Sequence, residues 1–515
     1  MQKNTTAAFG AVGNWLEIAG QTWTEIGKDG EMPSTKEFAT ILAERLRADV
    51  GAVGGWMQGV EELAKYAQSE ATGNAIDEER ESVAAALRAV RPIVEARLQK
   101  RLDTVDEELM QVKCEKCGRL SQSQGRRTRN WSSTVGEIEL SRRYSWCEQC
   151  GQGRAIAQQQ VGLPEGDYTA SLEEISALMS ATVPHHMAAE LVGKLLGIEM
   201  SDNGIKGIIE RRGQAVVAAQ DIDAESLNPY YKNGLPTDAA RPSDAVAKAP
   251  EAAYLEMDGV IVMTRGELPK DEGENVVGRG GKGRKYKVEG REVKNAVLYS
   301  ASQCATESES RNCILEKHYV SHLGDYKHFA LLVWATILRL RFDEAKLLVV
   351  LSDGSEWIRQ LCAWLPIQAL LILDLFHVKR RIWEVANAVY GDKTAEASLW
   401  AKMQCERVEQ GQAQSVIEAL GFLNPKRTSA GELVSALITY LSNNLDRMDY
   451  PSYRDRGLRV GSGAVESANY HVTGARLKLQ GMRWSENGAA EMARLRTDLF
   501  NGKWESRTRQ LLNAA

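Results

Sequence analysis

The chain has 515 residues, of which 43% are hydrophobic and 26% are charged, and its formal net charge is −5. That length predicts several domains, and the composition is that of a folded globular protein, which excludes a fibrous or wholly disordered chain. No apolar run in the sequence reaches the roughly 20 residues that a membrane-spanning helix needs. We therefore expect a cytoplasmic protein with no membrane partner, and the negative charge argues at first against nucleic acid.

Apolar residues at helical spacing predict an α-helical region over residues 1–110. The first hundred residues hold fifteen acidic and eleven basic side chains. This balance favours packing or assembly over contact with DNA.

Four of the eight cysteines stand as two Cys-x-x-Cys pairs, each followed by glycine: Cys114, Cys117, Cys147 and Cys150. A two-residue spacer lets both thiolates of a pair face one tetrahedral ion, and paired motifs in a chain without an export signal favour zinc over disulfides. The segment between the pairs alternates apolar and polar residues as a hairpin would. The sequence therefore predicts a structural Zn²⁺ site in a zinc ribbon over residues 111–160, with redox-active cysteines as the alternative.

The predicted ribbon is basic, because residues 113–154 hold nine Lys or Arg against four Glu. Arginines interleaved with aromatic residues suit phosphate contact combined with stacking. The candidate DNA contacts here are Arg126, Arg127, Arg142 and Arg143. A solvated basic face on a structural ribbon would have the same composition.

Residues 168–218 have the pattern of a helix, a short turn and a second helix capped by Ser201 or Asp202. This arrangement predicts a helix-turn-helix that contacts DNA through Lys206 and Arg211. A generic helical hairpin has the same pattern. The next segment, residues 219–250, is rich in Pro, Asp, Ala and Ser and is predicted to be a linker.

After the linker the pattern changes to β-strands. Alternation in "YLEMDGVIVM" places Asp258 in the middle of a buried strand, with residues 293–303 as its antiparallel partner. A helix is predicted over residues 325–341, and two apolar strands after it end at Asp353 and Asp374. Carboxylates at such positions are usually paired or metal-bound, although a structural role is the commoner outcome for a single one.

Antiparallel strands followed by alternating helices and strands predict a mixed sheet of the ribonuclease H type, in which two acids lie on adjacent strands and a helix brings a third. Glu466 is the candidate third acid, in a helix that opens at Gly461–Gly463 and whose free N–H groups could hold a phosphate. Its surroundings are basic, since residues 457–515 hold nine bases and five acids. The candidate DNA contacts of this segment are Arg476, Lys478, Arg483 and Trp484.

A second basic segment, residues 278–294, holds seven bases and two acids between the first two strands. It is predicted to be an extended loop that follows a DNA backbone. The candidate contacts are Arg284, Lys285 and Lys287.

Four segments together resemble a known family: "LEMDGV", "LSDGSEWI", "DLFHV" and "GSGAVESANYHVTGARLKLQGMRWS". They are similar to the signatures of bacterial insertion-sequence transposases with a DDE active site, of the Kra type. The similarity extends from the Cys-x-x-Cys pairs to about Trp504. Asp374 and His377 match the (Cys/Asp)-x-x-His signature that accompanies the triad in several DDE superfamilies, as a supporting motif.

The resemblance implies an α/β catalytic core of the ribonuclease H type over residues 251–377 and 458–505, with an all-helical insertion at 378–457. It implies that Asp258, Asp353 and Glu466 are catalytic and bind Mg²⁺ or Mn²⁺ for phosphodiester cleavage and strand transfer. The expected partner is double-stranded DNA, at element ends and target. The expected state is a nucleoid-associated homodimer or higher homo-oligomer. A domesticated, non-catalytic DNA-binding protein and a nuclease on the same fold are the alternatives.

Overall fold

A computed structural model describes residues 40, 41, 44, 50–69, 74–109, 112–227, 241–266, 278–279, 285–308, 311–425 and 427–514. The chain divides into two compact units. The first comprises residues 1–208 and 508–515, and the second residues 209–507. Each of the two boundaries falls inside a helix.

The first unit joins long helices to a small antiparallel sheet. Its helices are α1 (Val50–Gln68), α2 (Ala75–Glu108), α3 (Ile156–Gln160), α4 (Ala170–Thr182), α5 (His185–Leu196) and the start of α6 (Asp202–Ser226). Its strands are β1 (Val112–Lys113), β2 (Leu120–Ser133), β3 (Gly136–Cys147) and β4 (Gln152–Arg154), which pair in that order.

The hairpin predicted between the two Cys-x-x-Cys pairs is confirmed as β2 and β3. Trp131, Ile138 and Leu140 are buried by this hairpin and pack with Leu102 of α2. Burial of these side chains ties the sheet to the long helix. The small sheet therefore has an apolar support of its own within the first unit.

The segment predicted as a helix-turn-helix forms helices α4, α5 and α6. Helix α5 ends at Gly197, whose φ of +68° lies in the left-handed region that glycine adopts without strain. The hydroxyl of Ser201 accepts the N–H of Gly204 at 3.0 Å, as the predicted N-cap would. The structure thus contains the helical hairpin, and DNA contact through it stays a prediction.

The second unit combines a mixed sheet with many helices. Its strands are β5 (Ala252–Gly266), β6 (Gly278–Arg279), β7 (Lys285–Ser300), β8 (Cys304–Ser308), β9 (Arg311–Ile314), β10 (His318–Leu323), β11 (Leu347–Ser352) and β12 (Leu370–Leu373). Its main helices after α6 are α7 (Tyr326–Leu340), α8 (Glu356–Trp364), α9 (Leu375–Tyr390), α10 (Ala395–Glu409), α11 (Ala413–Gly421), α12 (Thr428–Ser442), α13 (Tyr450–Asp455), α14 (Gly463–Ala468), α15 (Ala475–Leu477) and α16 (Glu486–Phe500). A π-helical turn, Asn469–Gly474, follows α14, and α17 (Trp504–Ala514) contains the second boundary between the units.

The main sheet has the strand order β10-β7-β5-β11-β12. The first three strands are antiparallel neighbours, whereas β11 lies parallel to both β5 and β12. The predicted hairpin partner of the Asp258 strand is thereby confirmed. The predicted helix between the antiparallel and parallel parts is confirmed as α7.

Apolar clusters cover both faces of this sheet. Leu255 and Met257 of β5 point to one face, where α7 packs, and Tyr254 points to the other, where α9, α10 and α12 pack. Period-two alternation along β5 therefore places Glu256 and Asp258 on the face of Tyr254. This face carries the candidate site.

The predicted insertion, residues 378–457, consists of helices joined by turns in its described part, and its apolar side chains share one cluster with the sheet. The predicted linker differs from the structure at its start, because α6 continues to Ser226. Residues 228–240 of that linker lie outside the described part. Within the described residues, no helix is long and apolar enough to cross a membrane.

Candidate functional site

Asp258 on β5 and Asp353, the residue directly after the end of β11, lie at matching positions of two neighbouring parallel strands. Met257 of β5 pairs with Ser352 of β11, and each aspartate is the next residue of its chain. The two predicted acids therefore come together although 94 residues separate them in sequence. Both side chains are partly buried.

The surroundings of Asp258 disfavour its negative charge. Burial raises the pKa of its carboxyl to about 6, and the charge of Asp353 adds to the rise. The N–H of Gly259, the side-chain amide of Asn469 and the imidazole of His377 act in the opposite direction. Two carboxylates that repel each other at neighbouring strands are the kind of group that a divalent cation neutralises.

Glu466 lies on the short helix α14, whose N-terminus is held by two buried carboxylates. Glu256 accepts the N–H groups of Ala464 and Val465, both at 2.9 Å, and the hydroxyl of Tyr299 at 2.5 Å. Burial raises the pKa of the Glu256 carboxyl. Since Glu256 and Asp258 are on the same face of β5, this contact fixes the helix of the third acid against the strand of the first.

Asp374 is the second of these carboxylates. One oxygen accepts the N–H groups of Phe376 and His377 at the start of α9. The other accepts the N–H and the hydroxyl of Ser462. The predicted phosphate position at Gly461–Gly463 is therefore wrong for these groups, because the N–H groups of Ser462, Ala464 and Val465 already bind carboxylates of the chain.

Ligand atoms of Asp374, His377 and Glu466 lie within 4.8 Å of one another. The Nδ1 atom of His377 is 3.5 Å from an oxygen of Asp374 and 3.8 Å from an oxygen of Glu466. Asp258 and Asp353 do not belong to this group. The structure thus brings Glu466 nearer to the predicted supporting motif than the sequence suggested.

A buried network of side-chain amides ends in a hydrogen bond to Asp258. Asn295 lies opposite Asp258 on β7, and its oxygen accepts the hydroxyls of Ser321 and Thr473. Its NH₂ group must then donate to the oxygen of Asn469, which leaves the NH₂ group of Asn469 to donate to Asp258 at 2.6 Å.

Sequence reasoning did not identify Glu256, Asn295 or Asn469. Alternation along "YLEMD" could have indicated Glu256, because it shares a face with Asp258. No local signal distinguishes the two asparagines, whose partners are distant in sequence.

In the first unit, the four predicted zinc ligands form one cluster that could hold a metal ion. Their sulfur atoms lie within 4.8 Å of one another. Gly118 and Gly151 have φ values of +72° and +61° and donate their N–H groups to the carbonyls of Cys114 and Cys147. Backbone N–H groups of Cys117 and Lys116 lower the pKa of the Cys114 thiol to about 7.

Two predicted DNA contacts are contradicted by burial. Arg476 is fully buried, with its guanidinium 4.8 Å from the ring centre of Trp484. Trp484 is itself buried, and its indole N–H donates to the carbonyl of Leu477. These side chains stabilise the core, so counting charges overestimated the basic surface of this segment.

The other predicted contacts differ in exposure. Arg126 is engaged by Asp103, and Arg142 donates to Gln158, so both also support the ribbon. The exposed members include Lys206, Arg211, Lys287 and Lys478. Arg127 stacks on Tyr144, and Arg483 donates to Tyr286. Arg143 lies on β3, the backbone of Lys285 pairs with β6, and Arg284 falls outside the described residues.

Comparison with known proteins shows a similarity to one uncharacterised family. Residues 289–511 match the profile of the uncharacterised protein family UPF0236, a match that includes Asp353 and Glu466 but begins after Asp258. The chain is also 21% identical over 423 residues to a UPF0236 protein of Caldanaerobacter subterraneus subsp. tengcongensis. That alignment covers 79% of this chain and 77% of the relative.

Proposed function

We propose that this protein is a DDE transposase, which binds the ends of an insertion sequence and catalyses metal-dependent DNA cleavage and strand transfer. The observation that carries the proposal is the meeting of Asp258 and Asp353 at adjacent parallel strands, beside a helix that bears Glu466 and is anchored by Glu256. Burial and the charge of Asp353 raise the pKa of Asp258, and carboxyl groups perturbed in this way are common at functional sites.

The strand order supports a ribonuclease H-like core. Along the main sheet, the three antiparallel strands come first in sequence, and the two parallel strands lie on the far side of the first of them, as expected for that fold. A helical segment between the parallel strands and the third acid agrees with the insertion that the transposase resemblance implies.

Asp258, Asp353 and Glu466 would hold Mg²⁺ or Mn²⁺, and carboxylate oxygens suit both ions. The ions, when bound, would activate a water molecule or a DNA 3′-hydroxyl for attack and would stabilise the leaving oxygen. The role of the protein is to position these three acids. The network behind Asp258 fixes the orientation of its carboxylate, and Glu256 fixes the helix of Glu466.

The cysteine cluster would hold Zn²⁺ as a structural ion, because four thiolates that can surround one tetrahedral ion are a usual ligand set of zinc. DNA contact would be distributed over the ribbon hairpin, the helices α5 and α6 and the basic segment of residues 278–294. The protein would act as a homodimer or higher homo-oligomer on the nucleoid, since two element ends must be joined.

The related UPF0236 protein adds an indirect observation. Its name joins eleven loci of a single organism. A sequence repeated at many loci is what copies of a mobile element would leave in a genome. By similarity, this favours an insertion-sequence origin for the present chain over a single domesticated gene.

Incubation with DNA that carries the flanking element ends, in the presence of Mg²⁺ or Mn²⁺, tests the proposal. A transposase should cut at the ends and join them to a target. A nuclease on the same fold would cut without joining, and a domesticated DNA-binding protein would bind without cutting. Either of these outcomes would contradict the proposed function.

A further inference from the structure

A mixed group of nitrogen and oxygen ligands lies beside the aspartate pair and does not include it. We propose that His377, Glu466 and Asp374 form a site for a divalent first-row transition metal such as Mn²⁺, which binds without Asp258 or Asp353. The inference goes beyond the proposed function, because it assigns His377 as a metal ligand and gives Glu466 a second set of partners.

The imidazole of His377 is the main reason. Its Nδ1 atom makes no hydrogen bond of ordinary length, although the side chain is more than nine-tenths buried. The atom faces Asp374 at 3.5 Å and Glu466 at 3.8 Å, distances too long for hydrogen bonds and open to an intervening ion. A buried nitrogen without a partner is costly, and an ion between the three groups would satisfy it.

Asp374 is held in position through one of its carboxylate oxygens and can bind the ion through the other. Its first oxygen is occupied by two backbone N–H groups at the start of α9, which fix the carboxylate firmly. Its second oxygen accepts the N–H and the hydroxyl of Ser462. The hydroxyl can rotate away, so this oxygen can give a lone pair to a metal while the N–H of Ser462 stays bound.

Glu466 provides access. Its side chain is half exposed and lines an open cleft of about 670 Å³ together with Asp374 and Arg459. An ion and its waters can enter from that side without movement of the core.

The ligand types indicate which metal would bind. Mg²⁺ prefers oxygen ligands alone, whereas an imidazole nitrogen beside carboxylates favours Mn²⁺ and the later first-row ions. Mn²⁺ should therefore bind more tightly than Mg²⁺ at this site.

The test uses the full chain, loaded with zinc at the cysteine cluster and free of DNA, in which Asp258→Asn and Asp353→Asn are combined. Titration with Mn²⁺, followed by the electron paramagnetic resonance signal of the free ion, should show about one bound ion per chain. Adding Glu466→Gln or His377→Gln should weaken that binding at least about tenfold, the scale found even for groups that only support a metal ligand. His471→Ala, which removes an exposed histidine outside the group, should leave it unchanged.

Thermal unfolding of each variant separates loss of a ligand from loss of the fold. Glu466→Gln alters a half-exposed side chain, so it keeps the test valid even where the buried His377 variant unfolds. Unchanged Mn²⁺ binding in the Glu466→Gln variant would overturn the inference.

The outcome also distinguishes this site from the proposed catalytic one. Loss of all Mn²⁺ binding in the paired aspartate variant would overturn the inference and leave the DDE proposal standing. Retained binding in that variant, in a protein whose native form does not cleave DNA ends, would support the inference while the DDE proposal fails.

Discussion

Glu256 shows how one buried side chain can fix the geometry of a site without taking part in its chemistry. Its carboxylate is fully buried and accepts hydrogen bonds from Tyr299, Ala464 and Val465. Burial alone would make a carboxylate costly, and these three donors compensate for the lost water. The contact joins the strand of Asp258 to the helix of Glu466.

Replacing Glu256 by alanine should therefore destabilise the protein. Three buried donors would lose their acceptor, at a cost of about 3 kcal/mol or more in the free energy of unfolding. Glu256→Gln should cost less than about 1 kcal/mol, because the amide oxygen can accept both N–H groups and the Tyr299 hydroxyl can turn to accept from the amide. Urea unfolding measures both, with the exposed Glu432→Ala as control. Equal stability of Glu256→Ala and the native chain would contradict this role.

At the scale of elements, strands β5 and β11 were predictable because each has a strong local pattern. Alternation along β5 and the apolar run that forms β11 are sufficient to assign Asp258 and Asp353 to their strands. The surface of the last segment was not predictable in the same way. Arg476 and Trp484 lie in a basic sequence, yet they are buried, and charge counting contains no information on burial.

The asparagines of the amide network illustrate a second limit. Asn295 and Asn469 are separated by more than 170 residues and meet only because β7 lies beside β5 and the π-helical turn contacts both strands. A single sequence does not encode such a pairing in any local period. The same holds for Glu466, whose carboxylate lies within 4.8 Å of ligand atoms of Asp374 and His377.

His322, near the end of β10, should make the stability of the protein depend on pH. Burial lowers the pKa of His322 to about 3, and the nearby Arg494 and the stacked ring of His328 contribute. In the unfolded chain the pKa is about 6.5, so protons bind the unfolded state first as the pH falls. The contribution of neutral His322 to the free energy of unfolding is therefore fully present above pH 6.5 and is lost as the pH falls from there to about 3. At pH 5 the loss amounts to about 2 kcal/mol.

Urea unfolding at pH 7 and pH 5 measures this effect. The native chain should lose about 2 kcal/mol more between the two pH values than the His322→Gln variant does. The same loss in both proteins would show that His322 is not the group responsible.

The cysteine cluster makes a prediction about the ribbon hairpin. Metal analysis of the purified protein should give about one Zn²⁺ per chain, and Cys147→Ser should lower that content and loosen β3 and β4, because the ion ties the two turns together. Cys362→Ser, at a cysteine outside the cluster, is the matched control. Protein purified without chelator and found free of zinc would count against the site.

At the scale of the whole molecule, a net charge of −5 requires DNA contact to be local. Replacing Arg284, Lys285 and Lys287 by alanine should make the salt dependence of DNA binding shallower, by up to about 2.7 in the logarithmic slope if all three contact phosphates. Lys402→Ala, at an exposed lysine of α10, should leave the slope unchanged. A triple variant with the native slope would restrict DNA contact to other segments.

The pairing of Asp258 with Asp353, beside the helix that carries Glu466, is the feature of the second unit on which the proposed activity depends most. The most direct measurement is the rate of Mg²⁺-dependent cleavage of element-end DNA by Asp258→Asn, Asp353→Asn and Glu466→Gln, compared with the native chain and with Glu432→Gln as control. Each of the three should cleave about a hundredfold more slowly or worse, since each removes a charge that the metal needs, while binding to the same DNA stays near the native value. Cleavage at the native rate by any one of them would contradict the assignment of a DDE active site.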